Sequence, residues 1–201
     1  MPGQVFIASM NLRGKRAQAP EGAEKVNVTS AQRLDSKNRR DFSPMTHEDY
    51  EGFWNFEAFW QSGKVFEGID EEKVKTFWHN VKEAKRRYPG SKGKKVLYAH
   101  FEHAPEEKMD YVTSRKKVYV PRYFELMKNK EMALHWKKQV EEGKDIVIYD
   151  FDGPRQIDGG VSCVEVTKEL LCEKINDTRF PFGHGYVVAA WMKGMCPEEY
   201  M

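Results

Sequence analysis

Residues Asn55 to Glu67 read NFEAFWQSGKVFE, and the rest of the chain is organised around how this stretch is understood. At a period of ~3.6 residues, Glu57, Gln61 and Lys64 stand at i, i+4 and i+7 and stack into one narrow polar stripe. Phe56, Phe59, Trp60, Gly63 and Phe66 fall on the adjoining arc, so the spacing predicts a helix over 55–67 with that arc buried. Gly63 costs about 1 kcal/mol against Ala in a helix interior, which predicts close approach of a backbone or a ligand there. A carboxylate, an amide and an ammonium on one line, bordered by Trp60, suit a small polar ligand. An amphipathic helix with a simply wet polar side has the same spacing.

The chain has 201 residues, of which 40% are hydrophobic and 13% aromatic. That is enough for a single domain whose core leans on large flat side chains, which also make walls for planar ligands. Lys+Arg 33 against Asp+Glu 31 leaves a charge of +2, so the overall balance favours no class of partner. The first 40 residues are locally basic, with Arg13, Lys15, Arg16, Lys25, Arg33, Lys37, Arg39 and Arg40 against Glu21, Glu24 and Asp35. Such a segment meets phosphates or stays a solvated arm.

Cys163, Cys172 and Cys196 are odd in number and lack CxxC spacing, which argues against a disulfide framework and a zinc site. His100 and His103 form an HxxH pair without a clear third ligand, so no metal site is expected. No apolar run approaches the ~18 residues of a membrane span, and Met1 to Met10 lacks the apolar core of a signal peptide. The expectation is a soluble cytoplasmic or nuclear protein, not secreted and with no membrane partner.

Along the chain, Gln4–Ser9 and Lys25–Ser30 read as short strands, and Ala31–Arg40 as loop or a short exposed helix. Asp41-Phe-Ser-Pro-Met45 breaks regular structure. Asp70 caps a helix that runs through Lys73–Tyr88 to the stop at Pro89-Gly90. Lys95–Phe101 is ambiguous between strand and helix. Glu106–Lys128 is helical in tendency but split at Pro121. Glu131–Glu142 is a helix ending at Gly143, Asp145–Tyr149 a buried strand, Val161–Asn176 a helix, and Tyr186–Met192 a closing apolar helix after the Arg179–Gly185 loop. The fold class is α+β, mainly helical with a small sheet. Residues 1–40 are expected as a basic extension with short strands, packed on a main domain of residues 41–201.

A second candidate site lies where the strand Asp145–Tyr149 opens into Asp150-Phe-Asp-Gly-Pro-Arg155. Acids at a strand end, on a loop held by a rigid element, are a common layout for catalysis. The strand with DxDG also looks like the nucleophile motif of haloacid dehalogenase-type phosphatases, but the later lysine and paired acids of that family are missing. Asp side chains that accept backbone N–H bonds would equally hold such a turn together. There is no P-loop, no dinucleotide-type glycine loop and no GxSxG.

Taken in order, these pieces resemble the YbiA-like NADAR family: a DFS turn (Asp41–Ser43), a helix with Glu57, Phe59, Trp60, Gln61 and Lys64, a strand ending in an acidic turn, and a closing helix from Gly185. The resemblance spans roughly Asp41 to Lys193 and is close in the central helix alone; the family's D-x-x-W-G-x-G turn is replaced here by YDFDGPR. It implies a mainly helical, YbiA-like fold and an N-glycosidase acting on ribosylated or ADP-ribosylated bases and related riboflavin-pathway intermediates. Glu57 then corresponds to the family's catalytic glutamate and would stabilise an oxocarbenium-like sugar or activate water, while Asp150 or Asp152 assists the departing base. Lys64 and Arg155 would hold phosphate or ribose hydroxyls, and Trp54, Trp60 or Phe151 would stack on the base. The implied partner is a ribosylated small molecule or ADP-ribosylated nucleic acid.

The competing expectation is a binding module for a nucleotide, ADP-ribose or nucleic acid, without catalysis. Its features are the basic first 40 residues, the basic run from Lys82 to Lys95, and Arg115-Lys-Lys117.

Overall fold

In a computed structural model, which describes residues 1–10, 19–155 and 162–201, the chain is α+β and mainly helical, with two small sheets. The elements in order are β1 (Val5–Ser9), β2 (Glu24–Asn27), α1 (Lys37–Phe42), α2 (Phe56–Ser62), β3 (Lys64–Phe66), α3 (Glu71–Asn80), β4 (Val96–Ala99), α4 (Tyr111–Ser114), a π-helical turn (Arg115–Tyr119), α5 (Val120–Met127), α6 (Glu131–Glu141), β5 (Ile146–Asp150), β6 (Cys163–Glu165), α7 (Lys168–Asn176), α8 (His184–Met192) and a 3₁₀ turn (Pro197–Glu199). They gather into two units, one of Met1–Ser43 with Val120–Met201 and one of Pro44–Tyr119.

In the first unit the sheet has the order β2-β5-β1-β6. β1 and β2 pair in parallel on either side of β5, with Val5 opposite Ile146 and Glu24 opposite Ile146, and β6 runs antiparallel to β1. The unbroken apolar run Ile146–Tyr149 suits this place, because an interior parallel strand is covered on both faces. Residues 1–40 therefore supply two of the four strands. This corrects the expectation of an extension laid on a domain that begins at residue 41: without β1 and β2, both edges of β5 would lack ladder partners. Arg13, Lys15 and Arg16 lie outside the described residues.

α8 packs on β1 and β5 and is buried at every residue from His184 to Ala190. It, rather than the 55–67 segment, is the most thoroughly enclosed helix. Ala189 and Ala190 leave little side chain to keep it off its neighbours.

In the second unit, Asn55 caps α2 by accepting the Ala58 N–H at 2.8 Å. The helix then ends at Gly63, and Lys64–Phe66 leaves it as β3, which pairs antiparallel with β4. This corrects the single helix expected over 55–67. The Gly63 carbonyl accepts the His100 N–H at 2.7 Å, and Val65 and Phe66 are β-favouring residues that pair with Tyr98 and Val96. Lys64 thereby drops out of the helical stripe. Phe59 and Phe66 are buried as expected. The close approach at Gly63 is present, but a phenyl ring makes it: a Cβ there would lie 2.3 Å from Phe101.

Three further departures from the sequence expectation have a local cause. α3 stops at Asn80 rather than near Tyr88, where Val81 turns extended and buried. The chain stays helical through Pro121 because the π-helical turn precedes it. The wider π spacing includes Lys117, whose carbonyl the proline ring would otherwise crowd. The expected helix over 161–176 is β6 followed by α7, since Cys163–Glu165 pairs with β1 and Thr167 caps the helix; Val161 lies outside the described residues. No helix among the described residues is long and apolar enough to cross a membrane.

Candidate functional site

In the second unit, α2, β3, β4 and α4 surround a cavity of about 360 Å³. α2 contributes Trp60, held by ring contacts to Tyr119 at 4.9 Å and Phe101 at 5.7 Å between centroids. Lys64 stands at the first position of β3, opposite Ala99 of β4, and both line the cavity. Tyr98 and Tyr111 add aromatic wall from β4 and α4. Tyr111 rests on the guanidinium of buried Arg115, 3.9 Å from its ring centroid, so a cation–π contact fixes that wall.

Asp110 brings a carboxylate to the same cavity and caps α4, accepting the Thr113 N–H at 2.7 Å. That hydrogen bond holds its carboxyl below the usual aspartate value, so it is ionised at neutral pH. Of the seven large apolar side chains most exposed among the described residues, three (Val96, Leu97 and Tyr111) sit on this cavity. Apolar surface gathered at one concave place, beside a few polar groups, is the usual physical signature of a ligand site.

The sequence-predicted residues separate into two groups. Trp60 and Lys64 meet in the cavity, though on a helix and a strand rather than on one helix. Glu57 and Gln61 stay on α2, where the buried Gln61 amide donates to Glu57 Oε1 at 2.8 Å. Neither belongs to the cavity lining. Trp54, just before α2, stacks on His47 with ring centroids 4.3 Å apart and planes 2° from parallel.

Asp150, Phe151, Asp152 and Arg155 lie in the first unit at the end of β5, whereas Glu57 lies in the second. Asp150 is buried, and its Oδ2 accepts the Gly185 N–H at 2.9 Å in the first turn of α8. His184 Nδ1 is 3.7 Å from the same oxygen, and its Nε2 reaches the Val28 carbonyl at 2.8 Å. A Cβ at Gly185 would fall 2.5 Å from that of Asp150, so glycine is what lets the helix start against the carboxylate. Arg155 Nη2 donates to the Phe151 carbonyl at 3.3 Å and closes the turn on itself.

A family described as being of unknown function, DUF6939, matches residues 41–162, more than half the chain. The chain belongs to the DUF6939 family. Neither the curated proteins nor the solved structures gave a match. The DUF6939 match contains the second unit with its cavity, and it reaches β5 and the Asp150–Arg155 turn; β1, β2 and α8 lie outside it.

Within the DUF6939 stretch the structure adds a charged cluster that sequence reading missed. His100 Nδ1 is 2.9 Å from Glu71 Oε2, and its Nε2 is 2.7 Å from the Pro105 carbonyl. Lys75, only 5% exposed, lies 3.5 Å from the same carboxylate oxygen. The Pro105 carbonyl and then Glu71 push the His100 pKa up, and the His100 hydrogen bond pulls that of Glu71 down. The HxxH spacing by itself points to metal ligands, yet His100 is a partner in an ion pair. Among the described residues no group of three or more His, Cys, Asp or Glu side chains is placed to hold a metal ion. Tyr98, Asp110 and Tyr111 were also missed, because their meeting with Trp60 depends on pairing between segments far apart in sequence.

Proposed function

We propose that the chain binds a nucleoside-class ligand in the cavity of the second unit, with the base against Trp60 and the sugar and phosphate toward Asp110 and Lys64. The observation that carries this reading is one cavity that combines aromatic walls with the Lys64 ammonium and the ionised Asp110 carboxylate. A planar base is favoured by the rings, ribose hydroxyls can donate to the Asp110 carboxylate, and an anionic phosphate suits Lys64. The volume of about 360 Å³ falls in the range of small-molecule sites. The ligand class covers ribosylated small molecules and nucleosides carried on larger molecules.

Calorimetric titration with adenosine, AMP, ADP-ribose and their pyrimidine counterparts tests it. Trp60→Ala should weaken every binder by roughly 5- to 150-fold, the usual range for losing one base-stacking ring. Lys64→Ala should weaken nucleotides and spare nucleosides. If none of these compounds binds the wild type, the proposal fails.

A second reading is hydrolysis of an N-glycosidic bond, with Glu57 stabilising the cationic sugar or activating water. What supports it is local: α2 carries a half-buried Glu57, hydrogen-bonded by Gln61, three residues before the cavity residue Trp60, in the segment that resembles the NADAR family. Asp150, tied to the start of α8, suits anchoring better than proton transfer.

A further inference from the structure

We infer that the nucleoside bound in this cavity is a unit of a single-stranded nucleic acid whose phosphates lie along the basic segment leading into β4, an inference that rests on the cavity reading above. Between residues 82 and 95 the chain carries Lys82, Lys85, Arg86, Arg87, Lys92, Lys94 and Lys95 against one acid, Glu83. Glu83 is already paired with Lys85 at 2.9 Å. Lys92, Lys94 and Lys95 are exposed, and so are Val96 and Leu97 directly after them.

The segment therefore passes without a break from ammonium groups to exposed apolar side chains to Tyr98 in the cavity wall. Lys92 and Tyr98 are six residues apart, which at ~3.3–3.6 Å per residue places them within about 22 Å. A strand with one base in the cavity can thus lay neighbouring phosphates on these lysines, with Val96 and Leu97 against sugar or base between them. A free mononucleotide would engage Lys64 and leave the basic segment unused.

Of the acids near this path, Glu107 is paired with Lys117 at 3.1 Å, while Asp110, ionised in the cavity, favours sugar hydroxyls over phosphate beside it. Glu67, whose N–H meets the Lys95 carbonyl at 2.9 Å, is exposed and borders the segment. A single strand fits better than a duplex, because a base must leave its stack to enter a concave aromatic site.

The test compares fluorescence anisotropy of a labelled 12-nucleotide single strand, and of the same sequence as a duplex, with calorimetry of AMP. Three proteins are used: wild type, K92Q/K94Q/K95Q, and Trp60→Leu, with Tyr111→Ala replacing the last if it fails to melt cooperatively. The single strand should bind at least ~10-fold tighter than AMP and than the duplex. The triple variant should lose ~10-fold or more in strand affinity at low salt, with its dependence of log K on log salt flatter by about 2, since each lost single-strand phosphate contact removes ~0.7. AMP affinity should stay unchanged in that variant, and Trp60→Leu should weaken both ligands.

Three results overturn the inference while leaving the cavity reading intact: strand affinity no better than that of AMP, strand binding unaltered by the cavity variant, or equal displacement by a polyglutamate peptide of matched charge. Failure of AMP and every other nucleoside to bind the wild type removes both readings together.

Discussion

The Glu71 carboxylate and the His100 imidazole form an ion pair within the second unit, Oε2 to Nδ1 at 2.9 Å, with most of both side chains withdrawn from solvent. The opposite ring nitrogen faces the Pro105 carbonyl at 2.7 Å. Both partners are acceptors, so the ring must donate at both nitrogens, and only the imidazolium does that.

The sign of the pH dependence follows. His100, raised above its ordinary value of 6.5, contributes stability that is complete below that value and is lost as pH rises through its folded pKa. Glu71, lowered from 4.5, contributes stability that is present above that value and is lost as pH falls through its folded pKa. Thermal melting across pH 4–9 should show the pair's contribution at its fullest between about 4.5 and 6.5. His100→Gln should remove the alkaline decline and cost about 1–2 kcal/mol near pH 5.5. An NMR titration placing the His100 pKa at or below 6.5 would refute this.

Gly63→Ala should destabilise the protein by about 1–3 kcal/mol. The new methyl would meet three atoms of the Phe101 ring at 2.3–2.6 Å, and that ring is buried. The backbone at Gly63 has a helical φ of −80°, so conformational strain plays no part. Denaturant midpoints measure the loss. A neutral or stabilising outcome would mean the ring moves aside without cost.

Asp150→Asn distinguishes an anchor from a catalyst. It removes the charge beside the first turn of α8 and weakens the bond to the Gly185 N–H, so melting should show a loss of about 1–2 kcal/mol. Binding of nucleosides in the cavity should be unchanged. A folded, equally stable variant that has lost base-releasing activity would instead give Asp150 a catalytic role.

Glu57→Gln addresses the glycosidase reading. The amide keeps the length and the hydrogen-bonding reach toward Gln61 while removing the charge. Release of free base from ribosylated substrates, followed by chromatography, should fall ~10²–10⁴-fold, with ligand affinity altered far less. Equal rates in both proteins would take Glu57 out of the chemistry.

Much of the framework was legible because it rests on local rules. The apolar run before Asp150, the Asp70 cap and the glycine stop at Gly143 each act within a few residues, and β5, the start of α3 and the end of α6 stand where those signals put them. Residues 63–66 were misread for a matching reason. Gly63-Lys-Val-Phe66 satisfies helical spacing as well as strand character, and the choice is made by β4, some 30 residues further on.

The sequence by itself determined the chemistry available: the α+β character, the aromatic richness, the basic run before β4, and the pairing of Trp60 and Lys64 within one short stretch. Only the tertiary structure decided which groups share a site. It set Trp60 and Lys64 beside Tyr98, Asp110 and Tyr111, bound Asp150 to α8, and joined His100 to Glu71. Periodicity and caps are satisfied by neighbours along the chain. The wall of a cavity and the partner of a withdrawn charge are fixed by strand pairing and burial between segments that no local pattern connects.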